Sequence, residues 1–424
     1  MKKLLTLTAA IIMSMAWSSN LFSQDTIRMV WEGGGSKRLI IEEDTTIRGE
    51  LYNIDWGDGT IYPITVSGNI MHFDYTYANT NTYTVTIGAA SSDCFFTGFR
   101  CFEKQVISLD VSKSTQLTNL HCQNNQLNSL DVSSNTNLIY LDCGSNQLSS
   151  LDISSNTSLI SLYCDNNQLS SLNINSNTNL IVLDCGDNPL SNLDISNNTN
   201  LRVLYCGDNQ LSNLDISNNP NLAGLWCQNN QLPLSDLYAV SEQISNVNDK
   251  YLGTQRLPIQ VTMADMAIDF SSQVMFGGVA TVFNVTKGGV PATVDVDYTI
   301  NNGIIVFLNT GSYTVTMTNA AIVSQSSYPA QVIAEIFISG VNIPENTLKG
   351  VEVYPNPATT QLYVKLAEPQ TAAYSICNLM GQVVASGVIQ NEEAINVSAL
   401  SAGVYLVKVH TDKGVVTRKV MVSD

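Results

Sequence analysis

Between residues 96 and 232 the apolar side chains return with a period of 21 residues. Leu138, Leu141, Cys143, Leu148, Leu151 and Ile153 recur as Leu159, Leu162, Cys164, Leu169, Leu172 and Ile174, while Asn146 and Asn156 recur as Asn167 and Asn177. The most regular members are Cys101, Cys122, Cys143, Cys164, Cys185, Cys206 and Cys227, each 21 residues after the last. A fixed period of this size marks a chain of stacked coils. No single coil buries enough apolar surface to fold alone, so the pattern predicts a rod held by parallel-strand hydrogen bonds and one continuous core. Asn125, Asn146, Asn167, Asn188 and Asn209 are expected to bond buried turn backbone, because backbone groups inside such a rod need partners.

The consensus L-x-x-L-x-C-x-x-N-x-L-x-x-L-x-[IV]-x-x-N resembles the short kind of leucine-rich repeat, with cysteine where leucine usually stands. So short a coil has a narrow interior, and a compact apolar thiol fits where leucine would crowd it. Side chains stacked at the strand spacing of about 4.8 Å stand farther apart than the Cβ separation of about 3.8 Å that disulfides prefer. The cysteines are therefore expected to be free thiols. The opening turn, with Phe96, Phe99, Cys101, Val106, Leu109 and Val111, carries Lys104 where asparagine belongs, as a cap would. After Leu232, residues 233–245 turn helical in pattern, with Ser235 as a candidate N-cap, and close the core.

The pattern changes on both sides of the array. Residues 25–97 alternate apolar and polar side chains, and residues 255–340 form short strand-like runs broken by Gly, Asn and Pro, so both are predicted to be β-rich. In the first, Ile54-Asp55-Trp56-Gly57-Asp58-Gly59-Thr60 followed by Tyr83-Thr84-Val85-Thr86-Ile87 resembles a PKD-type immunoglobulin-like β-sandwich. Asp55 and Asp58 there are read as turn residues bonding their own backbone. The second reads as another immunoglobulin-like sandwich that spaces the array from a surface. Lys2 and Lys3 precede an apolar run from Leu4 to Ala16 and then small residues, which reads as a signal peptide over 1–24. The expected fold class is thus a multidomain chain: a leucine-rich-repeat solenoid, a parallel β coil, over 98–246 with its caps, flanked by immunoglobulin-like β-sandwich domains, with a linker at 341–350.

Residues 351–424 contain Val353-Tyr354-Pro355-Asn356-Pro357, Gly381-Gln382-Val383-Val384, Leu400-Ser401-Ala402-Gly403-Val404-Tyr405 and Lys419-Val420. Together these resemble the C-terminal sorting domain of type IX secretion substrates, with Pro355, Asn356, Pro357, Gly403, Tyr405 and Lys419 as the motif residues. The resemblance implies Sec export, passage across the outer membrane by the type IX machinery and display on the surface of a Gram-negative cell. The whole arrangement resembles internalin-J-type proteins, through the 21-residue repeats with their cysteine ladder, although the type IX domain replaces an L-P-x-T-G anchor. That likeness implies adhesion, biofilm growth or host contact, with a protein or glycan on other bacterial or host cells as the partner.

Charge and chemistry narrow the picture further. The chain has 19 Lys plus Arg against 36 Asp plus Glu, a net charge of −17, which argues against nucleic acid as a partner. After the leader no apolar run reaches the roughly 18 residues of a spanning helix, so no transmembrane helix is expected. Residues flanking each cysteine point outward onto the concave sheet. One column is Arg100, His121, Asp142, Tyr163, Asp184, Tyr205 and Trp226, and the next is Phe102, Gln123, Gly144, Asp165, Gly186, Gly207 and Gln228. The aromatic members are candidate binding anchors, with the glycines leaving room for a partner to approach the rings. A further column, Asp110, Asp131, Asp152, Asn173, Asp194 and Asp215, is expected to face solvent and bond neighbouring turns; without a full oxygen cage it is not read as a calcium site. His72, His121 and His410 fall in three modules, and no H-E-x-x-H, G-x-S-x-G, P-loop or paired C-x-x-C occurs. No enzyme, cofactor or metal is expected. A structural surface-layer component without a specific ligand is the alternative to an adhesin.

Overall fold

The computed structural model describes residues 25–43, 51–65, 70–89, 95–263, 267–325, 327, 329–339, 351–366, 371–378, 383–411 and 414–423. The leader (1–24), the linker (341–350), Cys94, Gly381 and Gln382 lie outside the described residues. The chain divides into two units, one of residues 1–258, 272–283 and 316–333 and one of 259–271, 284–315 and 334–424.

In the first unit the 21-residue period becomes a parallel β-solenoid. Each turn contributes one three-residue strand: β9 (Asn119–His121), β10 (Tyr140–Asp142), β11 (Ser161–Tyr163), β12 (Val182–Asp184), β13 (Val203–Tyr205) and β14 (Gly224–Trp226). They pair in register, so that Leu120, Leu141, Leu162, Leu183, Leu204 and Leu225 stack as one inward row. The seven ladder cysteines are fully buried and unpaired. Burial pushes the Cys101 thiol up to about 12 and the other six in the same direction, so they are protonated core atoms and not nucleophiles. Unfolding without reductant should expose at least the eight thiols that are free here, counting Cys377. A thiol titration yielding six or fewer would contradict the packing.

Two ladders of buried asparagine hold the turns together. In the first, Asn167 Nδ2 donates to the carbonyls of Cys143 (3.1 Å), Cys164 (3.2 Å) and Asp165 (3.0 Å), while its Oδ1 accepts from Leu148 N (2.9 Å). Asn125, Asn146, Asn188, Asn209 and Asn230 repeat the arrangement. One side chain thereby satisfies backbone groups of two successive turns. The second ladder is Asn135, Asn156, Asn177, Asn198 and Asn219, each fully buried and donating to two carbonyls of the preceding turn. Their Oδ1 atoms have no partner among the described residues. Two residues after each ladder cysteine the backbone takes a positive φ, 49° at Asn166 and 52° at Asp187, which favours the Asn or Asp found at five of the seven positions.

The ends of the first ladder are closed by other side chains. At the opening turn, where Lys104 replaces asparagine, the buried Lys37 ammonium donates to Lys104 O (3.0 Å) and Gln105 Oε1 (3.1 Å). At the far end Gln255, also fully buried, donates to the carbonyls of Cys227 (2.9 Å) and Leu252 (2.6 Å) and accepts from the N–H groups of Asn230 and Leu232. The helix α1 (Leu234–Gln243) lies before it, with Pro233 at the N-cap and no side-chain cap. Ser235 is therefore inside the helix and not its cap. Instead, Leu234 N donates to Gln273 Oε1 at 2.7 Å.

The N-terminal residues form antiparallel sheets: β1 (Thr26–Glu32), β2 (Gly35–Glu43), β3 (Leu51–Asp55), β4 (Ile61–Thr65), β5 (Ile70–Tyr77) and β6 (Thr82–Ala89). Strand β2 pairs with β7 (Phe96–Arg100), the first strand of the array, and β7 runs parallel to β9. Strand β1 pairs with β8 (Val106–Asp110) on the other side of the same turn. Both sheets thus cross residue 97 without a break in hydrogen bonding. Asp55 and Asp58 accept from Gly57 N and Thr60 N and stabilise the turn between β3 and β4. The second unit is also mostly antiparallel, with strands Ala267–Asp269, Tyr298–Asn301 and Ile304–Phe307 in one sheet, but Gln260–Met263 runs parallel to Ile336–Ser339.

Candidate functional site

Strands β9 to β14 turn alternate side chains inward, so the residues on either side of each inward leucine share the outer face of the sheet. Arg100, His121, Asp142, Tyr163, Asp184, Tyr205 and Trp226 all lie on this strand face and are half-buried. Sequence reasoning missed the column two residues earlier: Asn119, Tyr140, Ser161, Val182 and Val203 project from the same face. Strand alternation was signal enough to find it. Tyr140 fills the gap between His121 and Tyr163, at ring-centroid distances of 4.5 and 5.5 Å. Trp226 stacks on Tyr205 at 4.3 Å and on Tyr251 at 5.4 Å. Tyr251 belongs to β15 (Lys250–Tyr251), which pairs with β14 but follows Trp226 by 25 residues rather than 21, so the repeat gave no sign of it. The anchors therefore form two aromatic clusters, one toward each end of the sheet.

Carboxylates alternate with the rings along the column: Asp142 lies between His121 and Tyr163, and Asp184 between Tyr163 and Tyr205. Burial pushes Asp142 up to about 6, and Asp165 adds to the shift. Burial pushes Asp184 up to about 7, aided by repulsion from Asp165, Asp187 and Asp142. Asp165 and Asp187 are raised as well, by burial first and by other aspartates second. Asp142 and Asp184 each accept one backbone hydrogen bond, from Gly144 N (3.3 Å) and Gly186 N (3.2 Å).

The glycines beside this column serve a different purpose from the one expected. A Cβ on Gly144 would collide with the Asp165 carboxylate, and one on Gly207 with the Gln228 amide, so both positions are filled by the next turn. Gly186 is buried as well, and a Cβ there would press on Gly207 O at 3.3 Å, so none of the three glycines leaves room for a partner. The other acidic column also differs from expectation. Asp110, Asp131, Asp152, Asp194 and Asp215 accept from the N–H of the serine two residues on, and Asn173 from Asn175. Each bond stays within its own turn, and those from the serines hold the five aspartates below the usual carboxylate range.

The C-terminal motif residues are brought together in the second unit. Two antiparallel sheets enclose a core that includes Leu362, Val364, Ile376, Val407 and Val420. Asn356, between Pro355 and Pro357, donates through Nδ2 to Lys419 O (3.2 Å) and accepts at Oδ1 from Met421 N (2.8 Å). One side chain thereby caps the backbone of the edge strand Gly414–Val422. Tyr405, two residues after Gly403, donates its hydroxyl to Ser401 O at 2.9 Å.

The profile of the secretion system C-terminal sorting domain matches residues 352–423. The chain ends in a type IX sorting domain. This domain directs the protein across the outer membrane to the surface of a Gram-negative cell. No curated protein matches the chain. Similar solved structures are internalin-like leucine-rich-repeat proteins. The functional domain of InlJ from Listeria monocytogenes, which includes a cysteine ladder, is 22% identical over 57% of this chain and 62% of that one, with a TM-score of 0.35. The chain thus spans less than two thirds of that domain. An internalin, inlF, from the same organism is 28% identical over 37% of this chain and 46% of that one, with a TM-score of 0.33. A further internalin-like protein of Listeria monocytogenes is 17% identical over 54% of this chain and 74% of that one, with a TM-score of 0.35. Among the described residues no helix is long and apolar enough to cross a membrane.

Proposed function

We propose that this protein is a surface adhesin whose solenoid presents its strand face to a protein or glycan on another bacterial or host cell, in biofilm growth or host contact. The observation that carries the reading is the pair of aromatic clusters. Arrays of Leu, Cys and Asn already fill the core, so the rings of His121, Tyr140, Tyr163, Tyr205, Trp226 and Tyr251 are not needed to close it. They stand half-buried on a sheet whose register is fixed turn by turn. Rigid aromatic side chains lose little entropy on contact and are favoured anchors. The sorting domain supplies the route to the surface where such a face has a use. Both β-rich modules are read as immunoglobulin-like, and the one at 255–340 as the spacer between the array and the surface.

Replacing Tyr163, Tyr205 and Trp226 together by alanine should leave export intact and reduce attachment and biofilm mass, in a deletion strain carrying the variant, to nearly the level of the deletion. Normal attachment by the triple variant would overturn the reading. A deletion strain with unchanged attachment and a weakened envelope would point to the structural surface-layer role.

A further inference from the structure

We infer that the strand face binds an extended, lysine- or arginine-bearing segment of a partner protein, seated on the carboxylates that alternate with the aromatic rings. The inference rests on the reading of that face as a binding surface and names the chemistry of its occupant.

Charge complementarity carries it. Asp142, Asp165, Asp184 and Asp187 come from three successive turns, and the charges that act on them are those of other aspartates. After its one bond to a glycine N–H, the second carboxylate oxygen of Asp142 and of Asp184 accepts nothing from the described residues. Turns stack about 4.8 Å apart, so Asp142 and Asp184 stand about 10 Å apart along the array. An extended segment repeats the same side about every 7 Å, and the flexible stems of lysine or arginine at alternate positions span the remaining distance of about 3 Å to reach these carboxylates. The rings extend the fit: Tyr163, between Asp142 and Asp184, and Tyr205, beyond Asp184, offer ring faces that attract an ammonium or guanidinium group. A neutral glycan could stack on the rings and hydrogen-bond to the carboxylates, but it would leave their mutual repulsion in place.

The test uses the exported chain and fluorescein-labelled octapeptides in which serine alternates with lysine, glutamine or glutamate, followed by anisotropy, alongside neutral hexasaccharides followed by calorimetry. The lysine peptide should bind and the other two should not. Its affinity should fall at least tenfold between 50 and 300 mM NaCl, and about tenfold or more in D142N/D184N. D131N/D152N, which alters exposed carboxylates of the other column, should bind like the parent. Equal binding of the lysine peptide by the parent and D142N/D184N would overturn the inference, as would equal binding of the glutamine peptide. Binding of a neutral hexasaccharide alone, lost on replacing Tyr163, Tyr205 and Trp226, would overturn it too while leaving the adhesin reading standing. Failure of that reading shows separately, as normal cell attachment by the triple aromatic variant.

Discussion

Asn167→Ala should lower the unfolding free energy of the solenoid by about 3–5 kcal/mol, the largest single-residue effect expected in the array. The reason is the number of backbone groups stranded at once. Removal of the amide leaves Leu148 N without its acceptor and removes a donor from the carbonyls of Cys143, Cys164 and Asp165. Unmade hydrogen bonds inside a protein cost about 1–3 kcal/mol each, and a narrow coil with a filled core has little room for water to substitute. Asn177→Ala provides the internal comparison. Asn177 serves only the carbonyls of Ile153 and Asn156, and its own Oδ1 is buried without a partner. Its loss removes one unsatisfied acceptor along with two donated bonds, so about 1–2 kcal/mol is expected. Urea unfolding of the two variants, followed by tryptophan fluorescence, should place Asn167→Ala well below Asn177→Ala. Equal midpoints would mean that the first ladder does not hold successive turns together.

The two ladders also show how much the sequence revealed. Repetition multiplied weak signals: one Asn in one turn says little, but the same residue at a fixed interval points to an amide bonding buried turn backbone, and the structure adds that each serves two turns. The inward rows, the free thiols and the outward columns follow from the same period. Legibility ended where the period ended. Lys37 lies 67 residues before the Lys104 carbonyl that it caps, and no local pattern announces the pairing. Gln255 takes over from Asn230 after 25 residues because the last turn includes α1. The same four-residue extension hides Tyr251 from the aromatic column. The hydrogen bonding of β1 and β2 onto the opening turn is likewise a choice between distant edges that alternation alone cannot make. Gly144 and Gly207 were misread for a related reason: they accommodate a side chain from the following turn, which only the stacking distance reveals.

Asp184 links stability to binding, and its effect should be visible as a pH dependence opposite in sign to that of a hydrogen-bonded surface carboxylate. Its carboxyl, like those of Asp142 and Asp25, is raised, to about 7 for Asp184 and about 6 for the other two. A raised folded-state value means that the fold favours the neutral carboxyl. The stabilisation is complete below the ordinary aspartate range, near 4, and is lost as pH rises through about 6 to 7. The aspartates of the serine-bonded column have the opposite sign, since their values are lowered and their contribution fades only below about pH 4. The melting temperature should therefore peak near pH 5 and fall by several degrees toward pH 8. Asp184→Asn, which fixes the neutral shape, should raise it at pH 8 and change it little at pH 5. Asp25 and Asp142 keep part of the slope in that variant. The same substitution should weaken capture of the lysine peptide, because the repulsion that destabilises the empty face is what a cation relieves. A variant that is no more stable than the parent at pH 8 would show that these carboxylates are hydrated well enough to ionise without cost, and the strand face would then hold no stored repulsion for a partner to release.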